Sequence, residues 1–71
     1  MATRKWIVVP RGKGYMLGLQ IEDVTLWVEP TDYENGDPIE DIRHYVSTFG
    51  SPGDIFEDVD GTYILGEGSR E

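Results

Sequence analysis

The stretch DPIEDIRHYVSTFG, Asp37 to Gly50, decides how the chain folds. It reads as the one helix. Asp37 suits the N-cap, where a carboxylate accepts from the free N–H groups of the first turn, and Pro38 suits the first helical position. Glu40, three residues after the cap, completes a capping box, and Gly50 is placed to stop the helix in the left-handed conformation. At about 100° per residue, Ile39, Ile42, Val46 and Phe49 share one side with Tyr45 at its edge, while Glu40, Asp41, His44, Ser47 and Thr48 face away. A helix this short is marginal alone, so its apolar stripe requires a sheet to cover.

The flanking chain supplies that sheet. Lys5 to Val9 (KWIVV) is a β-rich run stopped by Pro10, and Gly12-Lys13-Gly14 signals a turn. Tyr15 to Ile21 and Val24 to Val28 form two further runs joined by Glu22-Asp23. Such short connections predict an antiparallel meander. After the helix, Ser51-Pro52-Gly53-Asp54 fits a type II turn, and Ile55–Val59 and Thr62–Leu65 flank Asp60-Gly61, a type I′ hairpin signal. The expected class is α+β: a small antiparallel sheet in the order β-β-β-α-β-β with the helix on one face. One domain spans residues 1–66, and the small polar residues 67–71 read as a flexible tail. Alternation places Ile7 and Val9, and Leu17, Leu19 and Ile21, toward the helix; on the third strand either Val24, Leu26 and Val28 or Thr25 and Trp27 face it, the first set being the better hydrophobic choice. Phe56, or Ile55 with Val59, and Ile64, or Tyr63 with Leu65, complete that side. Trp6, Val8, Met16 and Trp27 then fall on the far face.

Composition narrows the function. Seventy-one residues make one small domain, which buries about 60% of its unfolded surface. The absence of cysteine excludes disulfides and thiolate zinc sites. The apolar run near the N-terminus is too short for a secretory signal or a membrane span, so a soluble cytoplasmic protein is expected. Fourteen acids against six Lys and Arg give a net charge of −8, unevenly spread. Residues 1–21 hold Arg4, Lys5, Arg11 and Lys13 and no acid; residues 22–71 hold every acid and only Arg43 and Arg70. That field disfavours phosphate backbones and favours a basic partner, although acidity also simply keeps a small protein soluble.

No catalytic or cofactor motif emerges. Gly12-Lys13-Gly14 lacks the spacing and the following helix of a phosphate loop. Acidic loops starting at Asp32 or Asp58 fail the EF-hand pattern at the required glycine and glutamate; Asp54, Asp58 and Asp60 offer only a loose divalent-ion arrangement. His44, the single histidine, lies on the outer helix face four residues after Glu40, where an ion pair is the simple reading. Glu57 and Asp58 point to opposite sides of a strand and make no catalytic pair. The chain is therefore expected to be non-enzymatic, with no metal and no cofactor.

What remains is the acidic surface. Asp37, Glu40 and Asp41 favour the positive end of the helix dipole, which is reason enough for those three. Glu29, Asp32, Glu34, Asp54, Glu57, Asp58 and Asp60 have no such local role. In size, acidity and lack of catalytic residues, the chain resembles small phage-encoded inhibitors, including anti-CRISPR and anti-restriction proteins, some of which mimic the charge of DNA. The resemblance is one of general character and carries over no residue role. The expectation is an inhibitor occupying the basic nucleic-acid-binding surface of a protein partner. Its contacts would be Glu34, Asp37, Glu40, Asp41, Asp54, Glu57, Asp58 and Asp60, with Trp6, Trp27 or Tyr33 as apolar anchors. The alternative is an assembly module that homodimerises through the aromatic sheet face or by joining its basic third to the acidic remainder of a second copy. Direct nucleic-acid binding through Arg4, Lys5, Arg11 and Lys13, with Trp6 and Tyr15 stacking, is disfavoured by charge, and no membrane partner is implied.

Overall fold

The computed structural model describes residues 3–66; the expected tail lies outside the described residues. The elements run β1 (Arg4–Arg11), β2 (Gly14–Ile21), β3 (Val24–Val28), α1 (Ile39–Phe49), β4 (Ile55–Asp58) and β5 (Gly61–Ile64). This is the expected order, and the class is α+β. The sheet, however, is mixed rather than antiparallel. Its strand order is β3-β2-β1-β4-β5, and β1 pairs with β4 in parallel, Lys5 with Ile55 through Ile7 with Glu57. The passage through β2, β3 and α1 returns the chain beside β1 in its original direction.

Hairpin geometry explains why β1 extends through Pro10 instead of stopping before it. Arg11 pairs with Gly14 across a two-residue loop, which makes that closing pair the hydrogen-bonded one. The next pair, Pro10 with Tyr15, is not, so the Pro10 nitrogen faces the side where β4 would lie. β4 pairs only as far as Ile7, and the missing donor costs no ladder bond. The Tyr15 backbone faces the other way and exchanges two 2.9 Å bonds with Asp37, tying the loop before the helix to β2.

Ile42 and Val46 of α1 are buried in one cluster with Trp6, Leu17 and Phe56, and Val8, Tyr15, Leu19, Val28, Tyr45 and Leu65 pack around it. The faces of β1 are therefore the reverse of the expectation: Trp6 and Val8 join the helix cluster, and Ile7 and Val9 lie on the open side with Met16 and Trp27. Both residue sets of β1 are apolar, and the indole decides between them. Trp6 Nε1 needs an acceptor in the interior and finds Asp54, 3.0 Å away. On the later strands, Phe56, Tyr63 and Leu65 take the helix side. Phe49, expected in the stripe, is exposed and leans on Tyr45, with 4.5 Å between ring centroids.

The helix ends also differ from the reading of caps. Pro38 occupies the N-cap and makes no side-chain capping bond. Asp37 instead accepts at Oδ1 from the backbone N–H and the hydroxyl of Thr31, which closes the preceding loop. Gly50 is extended, φ −74° and ψ 157°, not left-handed. Its lack of a side chain serves close packing, since a Cβ there would sit 2.3 Å from Leu65 Cδ1 and 2.6 Å from the Val46 carbonyl oxygen. The type II turn at 51–54 forms, with Gly53 at φ 93° and Asp54 N–H donating to Ser51 O at 3.0 Å. The last hairpin turns on Val59-Asp60, because Asp58 pairs with Gly61, one residue earlier than the Asp60-Gly61 signal.

Candidate functional site

The acids divide into two populations by position in the sheet. Those on the β4–β5 side are each paired with a cation within the molecule. Asp54, 5% exposed, accepts at Oδ2 from Trp6 Nε1 and, at 2.9 Å, from the Ser51 N–H. Arg4 Nε lies 3.2 Å from the same oxygen without the alignment of a hydrogen bond, so this contact is an ion pair. Lys5 Nζ meets Glu57 at 3.3 Å. Arg43 Nε donates to Asp58 at 2.7 Å, and Arg43 Nη2 lies 3.7 Å from Asp60. Tyr63 donates its hydroxyl to Asp60 at 2.8 Å. The bond to Asp58 is the main reason the Arg43 guanidinium is held above its ordinary range, and the bond to Asp60 likewise raises the Tyr63 phenol.

These contacts correct the sequence reading at several positions. Asp54 and Trp6, expected at a partner interface, are interior groups holding each other; Trp6 is 3% exposed. Asp58 is a structural acceptor with a buried side chain, Glu57 is paired with Lys5, and Asp60 shares Arg43 with Asp58. Trp6 is too buried to stack on a base, and Arg4 and Lys5 each pair with an acid of the chain. Asp54, Asp58 and Asp60 do not converge: among the described residues, no cluster of three His, Cys, Asp or Glu side chains is arranged to hold a metal ion.

The second population flanks β3. Residues 22–41 hold eight acids and no Lys, Arg or His. Two of the eight serve the loop. Asp37 fastens Thr31, as described. Asp32 accepts from the Asn35 side-chain amide at 3.0 Å and from the backbone N–H groups of Asn35 and Glu34, both at 3.2 Å. The Asn35 amide and these N–H groups hold its carboxyl below the usual aspartate range. Glu29, Glu34, Glu40 and Asp41 are exposed, and among the described residues none of them has a cation within ion-pair distance. His44 is exposed and makes no ion pair with Glu40.

Around these acids lie the apolar features. Tyr33 is exposed beneath the Arg11 guanidinium, 4.4 Å from its ring centroid, and Arg11 Nε donates to Tyr33 O at 2.9 Å. Trp27, 48% exposed, lies on the open face against Gly18, where an added Cβ would sit 2.8 Å from the ring. Val24 and Leu26 are 56% and 53% exposed because α1 leaves β3 uncovered. Between β3 and the first turns of α1 runs a groove of about 230 Å³. Leu17, Val28 and Tyr45 form its floor, and Glu29, Asp37 and Asp41 its rim. The sequence reading missed this groove and the bare edge, although five uncharged residues between acidic flanks, EDVTLWVE, are visible in the chain. Among the described residues, no helix is long and apolar enough to cross a membrane. No known family, curated protein or solved structure matches the chain.

Proposed function

We propose that this chain is a non-enzymatic binding protein whose acidic β3 flank engages a basic surface on a protein partner. The kind of partner that fits is one that ordinarily holds nucleic acid with lysines and arginines, as expected of a phage-type inhibitor. The observation that supports the reading is the segregation of charge. Internal cations answer the acids of β4 and β5, whereas among the described residues Glu29, Glu34, Glu40 and Asp41 face solvent without one. Glu29 and Asp41 rim one groove, and like charges close together raise the local potential and speed encounter with a cationic surface. Tyr33 and Trp27 supply exposed aromatic area beside them.

The test is recovery of the partner from host extract at low salt, followed by a salt titration. Screening should release the complex as ionic strength rises. Reversing Glu34, Glu40 and Asp41 together to lysine should abolish capture and keep the fold, because among the described residues none of the three has an ion-pair partner and the lost helix-dipole interaction of Glu40 and Asp41 costs about 0.3–1 kcal/mol each. Retention of the same partner by the triple variant overturns the reading.

A second reading has its own support. Ile7, Val9, Met16, Trp27 and Ile64 share the open sheet face, and Trp27 and Ile64 are about half exposed. A two-fold contact between copies would cover that face. Trp6 takes no part in it. Sedimentation equilibrium decides: a concentration-dependent dimer lost on Trp27→Ser supports it, and a monomer throughout removes it.

A further inference from the structure

We infer that the partner adds a strand: an extended segment with cationic ends pairs along β3 and places an arginine or lysine in the groove beside α1. This deepens the acidic-flank reading and rests on it.

The backbone of β3 is poised for the addition. Ile21 and Val24 close a two-residue hairpin and form a hydrogen-bonded pair, so Leu26 and Val28 also bond to β2. Thr25 and Trp27 fall in the alternate pairs, and their N–H and C=O groups point outward from the sheet edge. Soluble proteins blunt such edges with lysine, proline or a bulge. β3, VTLWV, has no charge and no proline, and its register against β2 is unbroken over all five residues. Its exposed side chains Val24 and Leu26 are apolar.

Charge selects the occupant. If a second copy paired Thr25 with Trp27 by two-fold symmetry, Asp23 would stand opposite Glu29 at each end. Like charges directly opposed are destabilising. A foreign strand with a cation at each end meets the same two acids favourably. Antiparallel to β3, its residue opposite Val28 projects to the helix side, over the groove. The apolar floor of Leu17, Val28 and Tyr45 accommodates an aliphatic stem, and Glu29 and Asp41 await the charged head. Main-chain bonds then give affinity, and alternate side chains give specificity.

The probe is the synthetic peptide RTVTVK, whose arginine faces Val28 and whose lysine faces Asp23, titrated into the full chain by amide NMR. The Thr25 and Trp27 amides should shift most, and binding should weaken as salt rises. The acidic counterpart ETVTVE should bind at least about tenfold more weakly. Thr25→Pro removes one outward donor without touching the β2 ladder and should cost about tenfold. N-methylating the second threonine of the peptide should cost the same and leaves the protein unaltered. Equal binding of ETVTVE, or no shift at Thr25 and Trp27 with RTVTVK, overturns the proposal. A β3-mediated dimer of the free chain, abolished by Thr25→Pro, also overturns it. Salt-sensitive binding that survives both backbone changes refutes strand addition and leaves the acidic-flank reading standing; salt-insensitive binding refutes the acidic flank itself.

Discussion

Replacing Asp54 with alanine should remove much of the stability of the domain, although the residue is far from any candidate contact. Two donors lose an acceptor and one cation loses its counter-charge together. The Trp6 indole N–H is interior, and an unsatisfied buried donor costs about 1–3 kcal/mol. The Ser51 N–H loses its turn bond, a further contribution of about 1 kcal/mol by analogy with capping side chains. Arg4 is about a third exposed, so solvent screening keeps its share below about 1 kcal/mol. The sum is roughly 3 kcal/mol, a large part of the stability of so small a domain. At about 4–8 °C per kcal/mol, the midpoint of thermal unfolding should fall by some 12–24 °C. Urea unfolding followed by far-ultraviolet circular dichroism measures the free energy. A double-mutant cycle with Trp6→Phe isolates the indole bond, because the phenylalanine should cost about 1 kcal/mol less once Asp54 is gone. An Asp54→Ala variant within about 0.5 kcal/mol of the parent, with no coupling to Trp6, would refute the buried-acceptor argument.

Two further outcomes follow from other contacts. Gly50→Ala should destabilise by about 1–3 kcal/mol in the same urea assay, since the new methyl meets Leu65 and the Val46 carbonyl and the carbonyl belongs to helical backbone. Tyr63 should ionise above the ordinary phenol value in an absorbance titration. Its folded-state value is raised by Asp60, so the stabilisation is fully present below the ordinary phenol value of about 10 and is lost as pH rises through the raised one. Asp60→Asn should return it toward that ordinary value.

The order of elements was legible because each rests on local signals: the period of Ile42 and Val46, the glycines of the first turn, and Pro52-Gly53. What escaped depends on residues distant in the chain. Alternation cannot choose between Trp6 with Val8 and Ile7 with Val9, because β1 is a central strand with apolar residues on both faces. Asp54 makes the choice from the far end of the crossover. The same distance hid the parallel pairing of β1 with β4, since adjacent hairpins suggest an antiparallel sheet and only the return through α1 reverses that. Among the acids, Asp54, Glu57, Asp58 and Asp60 read as free because Arg4, Lys5 and Arg43 reach them only in the folded chain. No base occurs anywhere between residues 22 and 41, which leaves Glu34 and Asp41 without a cation near in sequence, whereas the expected pairing of Glu40 with His44 does not form.

The pairing of the first strand with the fourth has a kinetic consequence. The first three strands can zip through short reversals, but the flank of Lys5–Ile7 stays bare until nearly all the described residues are available. Closing so long a span before any reward slows the final step. Until then, the meander's second margin is the eight-residue β1 with apolar residues on both faces, where the finished sheet has the four-residue β5, and its first tryptophan lacks both Asp54 and Phe56. This transient species, more than the finished fold, is where mispairing between chains would begin.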